Sequence, residues 1–154
     1  MDVNLINPFI EASCTILKSV ANIDSTLGKA YIKTSPYDSD SLSIVIGIIG
    51  DLKGQVIFSM NRNAACKLAS CMMMGMPIEQ LDEISKSAIS EAANMILGNA
   101  ATILAMKKVI VDITPPALFE GNEMHVSTPK TRTICVPINF DTNEKIELNI
   151  STQE

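Results

Sequence analysis

The sequence predicts an α/β fold of the α+β kind: one pseudo-twofold domain whose long helices pack against a mainly antiparallel sheet. Three observations carry that expectation. The element order helix, strand, hairpin occurs twice along the chain. A gapless shift of 80 residues superimposes Glu11 on Glu91, Ala12 on Ala92, Ile16 on Ile96, Leu17 on Leu97, Ala21 on Ala101, Ile23 on Ile103, Thr34 on Thr114 and Pro36 on Pro116. No low-complexity segment or interdomain linker divides the 154 residues. The two internal halves then run about 5–60 and 85–152, and 1–154 forms one domain. With a ten-residue insertion, "DLKGQVIFSM" also aligns with "DTNEKIELNI".

The elements follow in order. In "NPFIEASCTILKSVANI", Phe9, Ile10, Ile16, Leu17 and Val20 cluster at helical spacing, with Asn7 as N-cap and Pro8 in the first turn. "KAYIKTS" alternates like a strand and stops near Pro36. "SLSIVIGIIGDLKGQVIFSM" reads as two strands around a tight turn at "GDLKG". "NRNAACKLASCMMMG" is a short helix with an Asn cap and a Gly stop, and Met72, Met73, Met74 and Met76 read as core filler. "PIEQLDEIS" brings acidic residues to the start of a long helix, where the positive end of the helix dipole favours them. "KKVIVDIT" is a strand halted by Pro115 and Pro116, and "EMHVSTP" adds another. "TRTICVPINFD" and "KIELNIST" form a second hairpin around "DTNE". The hairpin strands offer edges for pairing with another chain.

The formal charge of -5 argues against nucleic acid as a partner, because phosphate binding needs cationic contacts. It suits a partner that presents a basic patch or a bound cation. The apolar runs "SIVIGIIG" and "MILGNAATILAM" are too short to span a bilayer, so no membrane insertion is expected. The acidic start "MDVNLINPFIE" lacks the basic region of a signal peptide, which points to the cytoplasm. Cys14, Cys66, Cys71 and Cys135 are scattered without a CxxC pair, and His125 is the single histidine. They read as small core hydrophobes, and no metal site is expected.

The long helix within "SKSAISEAANMILGNAATILAMK" is apolar except for a narrow stripe of Ser87, Glu91 and Asn94, continued by Gly98. On spacing alone the stripe reads either as the solvated edge of an amphipathic helix or as a face presented to a partner. Glu91 and Asn94 stand one turn apart, about 5 Å along the axis. Asn does not titrate, but its amide can hold a water through one acceptor and one donor. A carboxylate beside it can anchor a cation, most simply a lysine of a partner. Positioning a water is the main service phosphoryl hydrolysis asks of a protein. In the sister helix Glu11 matches Glu91, but Cys14 stands against Asn94 and Asn7 against Ser87. Only the second helix therefore carries a competent pair.

These residues resemble the CheC/CheX/FliY phosphatases of bacterial chemotaxis. The signature of that family is Asp or Ser, three residues, Glu, two residues, Asn, then about twenty-two residues and Pro. Here it stands as Ser87-x-x-x-Glu91-x-x-Asn94, with Pro116 arriving one residue early. "EAANMILGNA", "NPFIEA" and "GDLKGQVIFSM" are similar to family segments too, so the resemblance spans nearly the whole chain. One intact motif makes the chain look like the CheX-type members. The resemblance implies a phosphatase acting on the phospho-aspartate of a CheY-type response regulator. It implies that Asn94 orients the attacking water and that Glu91 pairs with the regulator's lysine. Mg²⁺ would come with the regulator, leaving this chain without a cofactor of its own. It also implies a homodimer. Ser87, Gly98 and Pro116 are the further candidates for partner contact. Ser87 either lies at the edge of the contact or bonds its own helix backbone. Gly98 either lets a partner backbone approach or packs under a strand of its own sheet. The alternative function is a non-catalytic adaptor that binds a response regulator or another chemotaxis signalling protein.

Overall fold

The computed structural model describes residues 2–128, 132–140 and 143–153. The first half supplies α1 (Val3–Ala21), β1 (Thr26–Leu27), β2 (Tyr31–Lys33), β3 (Tyr37–Ser39), β4 (Leu42–Gly50) and β5 (Lys53–Met60). Then come α2 (Arg62–Met72), α3 (Glu83–Met106), β6 (Val111–Ile113), β7 (Ala117–Glu120), β8 (Met124–Val126), β9 (Thr133–Asn139) and β10 (Lys145–Gln153). The three helices pack on one face of a mostly antiparallel sheet, which is the α+β arrangement the sequence predicts. In the turn segment "DTNE", Asp141 and Thr142 lie outside the described residues, as does Pro129 after β8. Among the described residues no helix is long and apolar enough to cross a membrane.

The main sheet runs β1-β9-β10-β5-β4-β6, with β2 also on β9 and β7 also on β4. At its centre β5 pairs with β10, and Phe58 lies directly opposite Leu148. These two residues occupy equivalent places in "DLKGQVIFSM" and "DTNEKIELNI". A twofold relation between the hairpins therefore passes through their pair. Strand alternation turns Ile44, Ile46, Phe58, Leu148 and Ile150 toward the helices, where all are buried. Ala12 and Ala21 of α1, with Ala92, Ala93 and Ala100 of α3, are buried as well, and such small side chains let the two helices approach closely.

The hairpins do not present free edges. β1 and β2 take the outer side of β9, while β6 and β7 take that of β4. Chain segments from one half thus cap the hairpin of the other, and the short strands form the sheet's margins. α1 also starts earlier than expected. Asp2 is its N-cap, accepting from Asn4 N at 2.9 Å, so Asn7 and Pro8 sit inside the helix. Proline there removes the N–H that the Asn4 carbonyl would accept. Lys107 Nζ donates to that carbonyl instead, at 3.4 Å. The methionines divide. Met72 packs against the core, whereas Met74 and Met76 are exposed, because the chain leaves α2 through left-handed residues Met74 and Gly75. Cys135 is buried as predicted, but Cys14, Cys66 and Cys71 are only half-buried.

On the sheet face turned away from the helices, Lys33 of β2 and Glu147 of β10 form an ion pair of 2.6 Å, with side chains 13% and 14% exposed. Burial pushes the Glu147 carboxyl up, but the hydrogen bond and charge of Lys33, helped by Lys145, outweigh it and hold the group below its ordinary value. A carboxyl depressed in the folded state stabilises fully above its unfolded pKa, about 4.3 for Glu, and loses that contribution as pH falls through the folded value. Lys33→Met is therefore expected to cost about 2–3 kcal/mol at neutral pH, since it leaves a mostly buried carboxylate with only the longer contacts from Lys145 and Tyr31. Urea midpoints should show the gap to wild type closing below about pH 4. A gap that stays constant into acid would refute this.

Candidate functional site

The polar stripe of α3 is held in place from its first turn. Asp82 is the N-cap: its Oδ1 accepts from Ser85 N at 2.8 Å, and Asp82 N donates to Ser85 Oγ at 2.8 Å. Ser85 bonding holds the Asp82 carboxyl below the ordinary carboxylate range. From there helical periodicity sends Ser85, Ile89, Ala92, Ala93, Ile96 and Leu97 into the core. The opposite face is left with Ser87 and Glu91 exposed and Asn94 half-buried.

The second wall comes from the far side of the sequence. Thr114 is fastened to β4: its N–H donates to Gly47 O at 3.0 Å, and Gly47 N donates to Thr114 Oγ1 at 2.8 Å. That anchor fixes where Pro115 and Pro116 leave the sheet margin. β7 then runs antiparallel to β4, with Leu118 opposite Ile44 and Glu120 opposite Leu42. Since Ile44 and Leu42 are buried in the core shared with the helices, alternation puts Leu118 and Glu120 on the helix side.

Between the two walls lies an open depression of about 500 Å³. Ser87, Glu91, Asn94 and Pro116 all line it, with Ser90 and Leu118. Pro116 thus reaches the site although it arrives one residue early in the motif. Gly98 lies outside this lining. A Cβ built on it would meet nothing within 4 Å, so the alternative in which it packs under a strand is wrong. Gly98 instead leaves open space farther along α3.

Three charged residues of the depression, Glu83, Lys86 and Glu120, escape motif reasoning. Lys86 Nζ lies 2.5 Å from Glu120 Oε1 and 4.0 Å from Glu83 Oε1. Its pKa is raised, first by the hydrogen bond to Glu120. Charge along the rim therefore totals three carboxylates against one ammonium, and that ammonium is engaged by Glu120 and Glu83 rather than Glu91. The site favours a cationic group from outside. The only signal in the sequence was the i, i+3 spacing of Glu83 and Lys86. Ile84 stands one turn before Ser87 on the same face and is 66% exposed, an apolar neighbour to the polar stripe.

The chemistry available is narrow. Glu91 is an exposed carboxylate, and Asn94 brings an amide to the same wall. Those two residues are too few donors for a magnesium ion, which takes near-octahedral oxygen ligation, and Glu83 and Glu120 are turned to Lys86. It suits the holding of a water and of an external ammonium.

Known proteins share this chain's fold and part of its sequence. The sequence model of the family described as chemotaxis phosphatase CheX matches residues 42–139. The CheY-P phosphatase CheX of Thermotoga maritima is 33% identical over 153 residues, covering 99% of this chain and 98% of its own. The CheX of the Borrelia burgdorferi CheX–CheY–BeF3–Mg²⁺ complex superimposes with a TM-score of 0.83 at 28% identity, covering 99% of this chain and 100% of that one. A CheC-like superfamily protein from Shewanella sp. PV-4 shares the fold, with a TM-score of 0.88 at 24% identity and full coverage of both chains. By sequence and by fold, this chain belongs to the chemotaxis phosphatase CheX family.

Proposed function

We propose that this protein hydrolyses the aspartyl-phosphate of a CheY-type response regulator. The carrying observation is that Glu91, Asn94 and Pro116 line one open depression. Glu91 pairs with the regulator's active-site lysine and fixes the docked pose. Asn94 enters beside the phosphoryl group and orients the attacking water. Orientation of this kind removes several kcal/mol of barrier without any proton transfer by the amide. Mg²⁺ belongs to the regulator, since the donors here do not make a site for it. Ser87 borders the contact, Pro116 forms its opposite wall, and Gly98 leaves room for the partner backbone. The Borrelia relative, crystallised with CheY and Mg²⁺, supports this assignment of partner and ion.

The test follows decay of a CheY-type regulator phosphorylated in the presence of Mg²⁺. The expected result is catalytic acceleration of phosphate release by substoichiometric protein. Regulator lifetimes unchanged by tight binding would favour an adaptor instead.

The protein works in the cytoplasm as a homodimer. Support for self-association lies at the sheet margin, where Leu27 and Ile32 of β1 and β2 are 50% and 57% exposed. Light scattering should give the mass of two chains at micromolar concentration; the mass of one chain would overturn this.

A further inference from the structure

We propose that Lys86 and Glu120 form a positioning clasp that sets the separation of the two walls of the site, an inference that rests on the phosphatase reading above. Lys86 stands on α3, one residue before Ser87 and five before Glu91. Glu120 ends β7, four residues after Pro116. Their 2.5 Å contact joins the wall that bears Glu91 and Asn94 to the wall that begins at Pro116. The lysine side chain is 26% exposed and the glutamate 32%, so the pair is partly shielded where it crosses the depression.

Two physical consequences follow. The first concerns distance. A water-orienting amide works only within a narrow range of the phosphoryl group, and a misplacement of about 1 Å can cost on the order of 10²-fold in rate. Pro116 stands outside any regular strand, between Thr114 and the first residue of β7. The anchor at Thr114 and the pairing of β7 with β4 hold the two ends of this stretch to the sheet, and the clasp ties its far end across to α3. The second concerns charge. Lys86 bound by Glu120 and Glu83 is withheld from Glu91, whose carboxylate stays available to a lysine from outside. Neither residue touches the reacting atoms; both act through Glu91, Asn94 and Pro116.

The clasp differs from a simple attraction of Lys86 for an acidic partner, and the variants separate the two. Lys86→Met and Glu120→Gln each open the clasp, but only the second frees the ammonium. With a phosphorylated CheY-type regulator and Mg²⁺, both variants are expected to lower kcat about 5- to 20-fold. KM should stay within about twofold and melting temperature should barely move, because a partly exposed pair adds little to global stability. Lys86→Arg keeps the cation and should retain kcat. The clasp is overturned if both variants keep wild-type kcat, if Glu120→Gln raises the rate while Lys86→Met lowers it, or if Lys86→Arg is as slow as Lys86→Met. Wild-type protein that fails to accelerate phosphate release removes the phosphatase reading itself, and the clasp with it. A wild type that is active beside variants that are also active removes the clasp alone.

Discussion

Asn94→Ala is expected to abolish nearly all acceleration of regulator dephosphorylation while leaving docking almost intact. Removing a single pre-oriented hydrogen-bonding group from a site of this type costs about 10²–10³-fold in kcat. The amide is half-buried at the wall of an open depression, so alanine deletes its contacts without leaving a cavity in the core. Stability should therefore stay within about 0.5 kcal/mol of wild type. Affinity for a regulator held in its phosphorylated form by beryllofluoride should change less than about threefold, since docking rests on the Glu91 ion pair and most interface side chains cost little when truncated. Single-turnover phosphate release together with a binding titration reads both quantities. Hydrolysis as fast as wild type would remove the water-positioning role. Equal loss of binding and of rate would make Asn94 a docking residue, and an adaptor would then explain the site as well.

Glu91 is expected to behave differently, because the partner proposed for it is a charge. Glu91→Ala should weaken binding and rate together: an ion pair across an interface, once broken on one side, costs about 2–5 kcal/mol, part of it from the lysine left unpaired. Glu91→Lys places two ammonium groups face to face and should eliminate measurable association. Lys86 cannot substitute for the missing charge, being a cation itself and engaged by Glu120. The signature is the contrast between the two positions. Asn94→Ala should lower kcat at constant affinity, whereas Glu91→Ala should move both. If Glu91→Lys still binds the beryllofluoride-loaded regulator as tightly as wild type, no lysine contact exists at that position.

The helical half of the site was legible because helix periodicity is local. Ser87, Glu91 and Asn94 fall on one face through their spacing alone, and apolar neighbours identify the opposite face as core. Pro116 was legible only through the family motif, since nothing local says that residue 116 returns to a helix twenty-two residues back. Lys86 and Glu120 were missed for the same reason: their contact spans 34 positions and depends on β7, a four-residue strand paired to β4. β1, β3 and β7 went unrecognised because strands of two to four residues carry no usable alternation and are created by their partners. The free hairpin edges failed as an expectation because strand order, not strand sequence, decides which edges are covered. At the N-terminus, local capping preference favoured Asn7, but a lysine 103 positions away makes an earlier start tolerable by occupying the carbonyl that Pro8 leaves open.

The crossing of strands between the two hairpins gives the first half a task its own motif does not reveal. It lacks the amide, having Cys14 where the second half has Asn94. Yet Pro116 and Glu120 are suspended from β4, through Gly47 and through the pairing of β7, while α3 lies against α1. Every candidate site residue is encoded between residues 87 and 116, but α1 and β4, against which their two walls rest, are encoded before residue 51. The first half is the bench on which the candidate site of the second half is mounted. Substitutions that loosen it, such as a larger side chain at Gly47, where a Cβ already comes within 3.0 Å of Thr114, would reach the site without touching any residue of the motif.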